Sequence, residues 1–184
     1  MLYGIIIGAV LLILIIFFIS SYNGFVKLRN KVEEAFSTMD VYLKKRHDLV
    51  PNLVETVKGY AKHEAGTLEK VTAARNVAAG AATPEEQLKA EGQLTATLKT
   101  LFAVAENYPD LKANQNFMAL QGQLTSLEGD IANSRKYYNG TVRQYNTATE
   151  VFPKNIVAGM FHFTRKPMFE VEDARERQNV KVEF

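Results

Sequence analysis

The chain has 184 residues, enough for one domain with a sizeable core, and a formal charge of +2 from 22 basic and 20 acidic side chains. That balance excludes the electrostatic footprint of phosphate-backbone binding, so no nucleic acid is expected as a partner. Cysteine is absent, which excludes disulfides, thiolate nucleophiles and Cys-based metal sites.

Residues 1–19, MLYGIIIGAVLLILIIFFI, carry no charged side chain. At a rise of ~1.5 Å per residue they match the ~30 Å hydrocarbon core of a bilayer. A cleavable signal wants a basic start, a shorter apolar run and a small-x-small site. Here no Lys or Arg precedes the run, and Phe17, Phe18 and Ile19 lead into Ser20, Ser21 and Tyr22. The expectation is an uncleaved transmembrane anchor over 1–20, with the lipid bilayer as partner. Lys27, Arg29 and Lys31 come soon after. Basic residues stay on the cytoplasmic side, so the rule places the N-terminus outside and the bulk of the chain in the cytoplasm.

Four amphipathic helices are expected over 21–152. The first continues out of the anchor on Phe25, Leu28, Val32, Ala35, Phe36, Met39 and Leu43. Pro51 disfavours helical backbone at Val50, which predicts a break or kink there, with Asp48 placed to cap the next helix. A continuous helix kinked at Pro51 is the alternative. The second runs from Pro51 to Ala79 on Leu53, Val57, Tyr60 or Ala61, Leu68, Val71 and Ala78. Gly59 and Gly66 weaken it or admit a close neighbour. Thr83-Pro84-Glu85-Glu86 predicts a capped start to the third, with Pro at its first position and acids against the dipole. That helix carries Leu88, Leu94, Leu98, Leu101, Phe102, Ala105 and Tyr108 and stops at Pro109. The fourth steps three then four through Phe117, Leu120, Leu124, Leu127, Ile131, Ser134, Tyr138, Thr141, Tyr145, Ala148 and Phe152, a heptad seam ending at Pro153.

Each stripe must be buried on another, and short turns favour antiparallel neighbours. The predicted fold class is therefore all-α: a transmembrane helix continuing into an antiparallel up-down four-helix bundle. Residues 153–184 form an apolar membrane-proximal segment and a short irregular or strand-like tail. Within them PKNIVAGMFHF, 153–163, either lies at the bilayer surface or caps the bundle core. The ending Val180-Lys181-Val182-Glu183-Phe184 alternates like a strand.

The residues offer little chemistry. His63-Glu64 opens like a zinc-protease helix, but Thr67 stands where a second His is needed, so no metal site is expected. No Gly-rich cradle succeeds a strand and no nucleophile elbow is present, so neither cofactor nor catalytic residue is assigned. Lys44, Lys45, Arg46 and His47 read as a solvated helix end, or as a docking patch at the membrane-distal tip. Three Tyr-Asn pairs remain: Tyr22-Asn23, Tyr138-Asn139 and, one heptad on, Tyr145-Asn146. If the first and fourth helices are antiparallel, all three gather at the membrane-proximal end. There they would set helix register, anchor in the headgroup zone or form a subunit contact.

Three stretches resemble the LemA family. They are YNGFVKLRNKVEEAFSTMDVYLKKRHDLVPNLVETVKGYAKHE (22–64), NFMALQGQLTSLEGDIANSRKYYNGTVRQYNTATEVFPKN (116–155) and FTRKPMFEVEDARERQNVKVEF (163–184). One departure is Phe36, where the family typically has Trp. The resemblance implies a bacterial inner-membrane protein, N-terminus outside, carrying a helical-bundle domain and no defined reaction. The functional expectation is a non-enzymatic, self-associating membrane scaffold, with a membrane-protein partner as a further candidate. The alternative is a sensor or signalling adaptor coupling a membrane partner to the bundle.

Overall fold

A computed structural model of the chain describes residues 1–169. The strand-like reading of 180–184 lies outside the described residues. Six helices succeed one another: α1 Leu2–Tyr60, α2 Ala65–Ala79, α3 Pro84–Ala105, α4 Pro109–Lys112, α5 Gln115–Glu150 and α6 Lys154–Met160. Among the described residues there is no strand. The chain falls into two compact units, one of Met1–Thr38 with Ser134–Met168, the other containing Met39–Asn133. Helices α1 and α5 each contribute to both.

In the first unit, the start of α1 is the apolar segment. Its side chains are exposed from Leu2 to Ile16 and again at Ile19. Phe17 and Phe18 are half-buried and meet edge to face at 5.9 Å. The segment is long and apolar enough to cross a bilayer. The same helix then buries Phe25, Val32 and Ala35. From α5 come Tyr138, Val142 and Tyr145, and from α6 Val157 and Ala158. Phe25 meets Tyr145 and Phe36 meets Tyr138. Residue numbers rise along α1 as they fall along α5, so the two helices are antiparallel here.

The second unit has its own core. Val50, Leu53 and Val57 of α1 pack with Leu68 and Val71 of α2, Leu94, Leu98 and Leu101 of α3, Leu111 of α4, and Phe117 and Leu124 of α5. The predicted start of α3 is present in full. Thr83 Oγ1 accepts from Glu86 N at 3.2 Å, and Glu86 Oε2 accepts from Thr83 N at 3.2 Å. Pro84 stands at the first position, where its missing N–H removes nothing.

At Val50-Pro51 the break is not made, and the chain takes the alternative of a helix continuous through the proline. α1 runs through Pro51 and ends at Tyr60, so Asp48 caps nothing and sits exposed within the helix. A proline inside a helix leaves the carbonyl four residues earlier without its donor, and costs ~3 kcal/mol or more. Here that carbonyl belongs to His47, and Arg75 of α2 donates to it through Nε at 3.1 Å. A side chain thus replaces the N–H that proline lacks. The chain breaks instead at 61–64, just past Gly59. A Cβ on Gly59 or Gly66 would meet nothing within 4 Å, so these glycines weaken the helix rather than admit a neighbour.

The heptad seam of α5 is buried or half-buried as expected, except at its last member. Phe152 is 80% exposed, because α5 stops at Glu150 and the chain turns away before α6. α6 ends with Phe163 N donating to Ala158 O at 2.9 Å and His162 N to Gly159 O at 3.4 Å. His162 has φ +55°. This is a Schellman stop with histidine in the left-handed position that glycine usually takes.

Candidate functional site

Two polar constellations stand out, one in each unit. The first is built from the Tyr-Asn pairs. Phe163, redirected by the α6 stop, stacks on Phe25 at 4.8 Å and lies 5.7 Å from Tyr22. Tyr22 also meets Phe161 edge to face at 4.8 Å. Arg29 lies over the Phe163 ring at 6.0 Å, a cation–π distance. Tyr145 joins through Phe25 at 6.4 Å. Tyr138 sits farther along α1 against Phe36 at 5.8 Å and donates from its hydroxyl to Pro167 O at 3.0 Å. Burial pushes the Tyr138 phenol above its ordinary value, so at neutral pH it remains a donor.

The three asparagines differ. Asn23 is exposed and Asn139 half-buried. Asn146 is buried, and its amide pairs with the backbone of Lys166 in both directions. Nδ2 donates to Lys166 O at 2.9 Å and Oδ1 accepts from Lys166 N at 2.8 Å. The first unit therefore brings Tyr22 and Tyr145 into one aromatic cluster, with Tyr138 and Asn146 holding the segment after α6. Phe163, the last residue of the segment expected at the bilayer surface or over the core, packs on Phe25. Sequence reasoning missed the Lys166 backbone, because 164 onward read only as a charged tail.

The second constellation corrects half of the predicted cationic patch. Lys44 and Lys45 are exposed, but Arg46 is fully buried and His47 nearly so. The four residues do not share one solvated face. The Arg46 guanidinium binds Glu91 through Nη2 and, through Nη1, Glu128 Oε1 at 2.5 Å and Thr95 Oγ1 at 3.0 Å. His47 Nε2 lies 2.5 Å from Glu91 Oε1. A carboxylate only accepts, so that nitrogen carries the proton. Burial alone would raise the Glu91 carboxyl, but the bonds from His47 and Arg46 outweigh it and hold the group below its ordinary value of 4.5. The Glu91 side chain has no exposed surface, whereas Glu128 is 38% exposed.

A signal for this network was legible. Met39, Leu43, Arg46, Val50, Leu53 and Val57 step four, three, four, three, four along α1. Arg46 thus occupies a core position. Glu91 stands three residues from both Leu88 and Leu94 on the α3 stripe. Two opposite charges in core register on neighbouring helices must find each other or unfold the packing. Chemically the network offers a neutralised, desolvated ion pair that ties α1 to α3, with Glu128 of α5 joined to it.

Comparison with known proteins places these features in a family context. A family model described as LemA family matches residues 35–184. Protein LemA of Metamycoplasma hominis is 24% identical over 160 residues, covering 85% of this chain and 72% of that protein. Magnetosome protein MamQ 2 of Paramagnetospirillum magneticum is 25% identical over 179 residues. Magnetosome protein MamQ of Magnetospirillum gryphiswaldense is 24% identical over the same length. Each of these two alignments covers 83% of this chain and 66% of the magnetosome protein.

Proposed function

The chain belongs to the LemA family, and on that premise we propose that it is a non-enzymatic scaffold anchored in the bacterial inner membrane, where it self-associates. One observation carries the anchor: the exposed apolar segment and the buried Phe25, Val32 and Ala35 stripe belong to one uninterrupted helix. Burying a large apolar side chain is worth ~1.5–3 kcal/mol. Leaving more than a dozen in water forgoes more than the ~5–15 kcal/mol that holds a typical domain folded. A bilayer removes that cost. The run of Lys27, Arg29 and Lys31 after the segment supports an N-terminus outside and the packed helices in the cytoplasm.

Self-association is supported by Gly4 and Gly8. They lie four residues apart on the apolar segment, and a Cβ on either would meet nothing within 4 Å. That spacing lets a second helix backbone approach closely in lipid. The decisive experiment is crosslinking in native membranes, joined to mass measurement in detergent. Oligomers are expected, weakened by Gly8→Ile. A strictly monomeric chain in both measurements refutes the scaffold assembly. Because the chain has no cysteine, a single Ser37→Cys label reports sidedness, and labelling from the periplasm overturns the orientation.

A further inference from the structure

We propose that α6 is an interfacial helix: its outer face lies in the headgroup layer of the same bilayer that α1 spans. The inference rests on the anchor reading and goes beyond it. The helix has two unlike faces. Val157 and Ala158 are buried in the first unit, while Ile156 and Met160, one turn apart, are 49% and 59% exposed. Phe152 before the helix and Phe161 after it are 80% and 48% exposed. The outward group is therefore apolar, touching the unit where Phe161 meets Tyr22, with Lys154 and Asn155 exposed beside it.

Its position names its occupant. Phe161 meets Tyr22 at 4.8 Å, and Tyr22 lies three positions beyond Ile19, the last residue of the apolar segment. At a rise of ~1.5 Å per residue that separation is roughly 4.5 Å along α1. An apolar face set at that depth lies at the boundary between headgroups and acyl chains, where interfacial helices seat. The charges suit the same surface. Lys27 on α1 and Lys154 at the start of α6 are exposed, at the depth where lysine reaches lipid phosphates, while Arg165 beyond its end pairs with Glu150. Tyr22, 39% exposed, sits where tyrosine is favoured at membrane surfaces.

The cysteine-free chain makes the test direct. The full-length protein is spin-labelled at Ile156→Cys, Met160→Cys, Val10→Cys or Ser37→Cys. It is then reconstituted into phosphatidylcholine vesicles containing phosphatidylglycerol. Collisions with oxygen, which partitions into lipid, are compared with collisions with a water-soluble nickel chelate. Val10 reports lipid and Ser37 reports water if the anchor reading holds. The proposal expects Ile156 and Met160 to lose accessibility to the nickel chelate and gain it to oxygen, as Val10 does. If both instead match Ser37 while Val10 reports lipid, the α6 proposal falls and the anchor stands. If both are shielded from oxygen and nickel alike, a second protein surface covers the face, and the lipid assignment is overturned. If Val10 itself reports water, the anchor fails and takes this proposal with it. All four positions are on exposed surface, so the labelled chains should retain the fold.

Discussion

Replacing Glu91 by alanine tests the buried network most sharply. Arg46 and Glu91 are both without exposed surface, and Arg46 has three partners: Glu91, Glu128 and Thr95. Removing Glu91 leaves the buried Arg46 with only Thr95 and the partly exposed Glu128 for partners, and breaking a fully buried pair costs ~3–5 kcal/mol. For a chain of this length that lowers the melting temperature by roughly 6–20 °C. Glu128→Ala should cost far less, about 1 kcal/mol at most, because its carboxylate is more than a third exposed and screened by water. Exchanging the pair for apolar residues, Arg46→Met with Glu91→Leu, should recover more than half of the Glu91→Ala loss. The two fully buried charges then leave together, while the partly exposed Glu128 and the His47 Nε2 donor lose a partner. The assay is thermal unfolding of the full chain in detergent micelles, monitored by far-UV circular dichroism. Equal losses for Glu91→Ala and Glu128→Ala would refute the reasoning. So would an apolar double variant no better than the single one.

Three further outcomes are expected. The Glu91 carboxyl is held below its ordinary value of 4.5, so its contribution is fully present above that value and is lost as pH falls through the lower folded one. The melting temperature should drop below about pH 4.5 in the parent and less steeply in the Arg46→Met, Glu91→Leu variant; parallel profiles would count against this. Arg75→Ala should cost ~1–2 kcal/mol by orphaning the His47 carbonyl, and clearly less in a Pro51→Ala background, where the backbone regains its own donor. A double-mutant cycle with no coupling would dismiss the Arg75 role. Asn146→Leu should free the Lys166 amide, so that hydrogen exchange at Lys166 becomes fast while the amides of α5 stay protected; an unchanged Lys166 rate would show that something else holds the segment.

The apolar stripes were readable because burial in helices recurs every three or four residues, and nearly every predicted core position of α1, α3 and α5 is buried or half-buried. Pro51 misled because the rule that proline ends helices counts only the backbone. The compensating donor, Arg75, lies 28 residues away from the carbonyl it serves, beyond the reach of local patterns. Arg46 and His47 were read by side-chain type, as charged and hence solvated, although the spacing already put Arg46 in the core stripe. The Asn146–Lys166 pairing left no sequence signal at all, because one of its partners is backbone and every residue but proline offers both groups.

A grip on backbone alone governs how the segment after α6 can change. Asn146 holds position 166 by its peptide groups, so the side chain there is free to be exchanged without loss of the grip. Spacing has no such freedom. The left-handed turn at His162 and the amide of Asn146 are two fixed posts, and the residues between them are a strap cut to length. Adding or removing one residue between 162 and 166 would present the next peptide at a displaced angle and carry Pro167 O away from the Tyr138 hydroxyl. Relatives that keep this fastening should therefore hold its residue count and the aromatic at 163 constant while varying at 164 and 166.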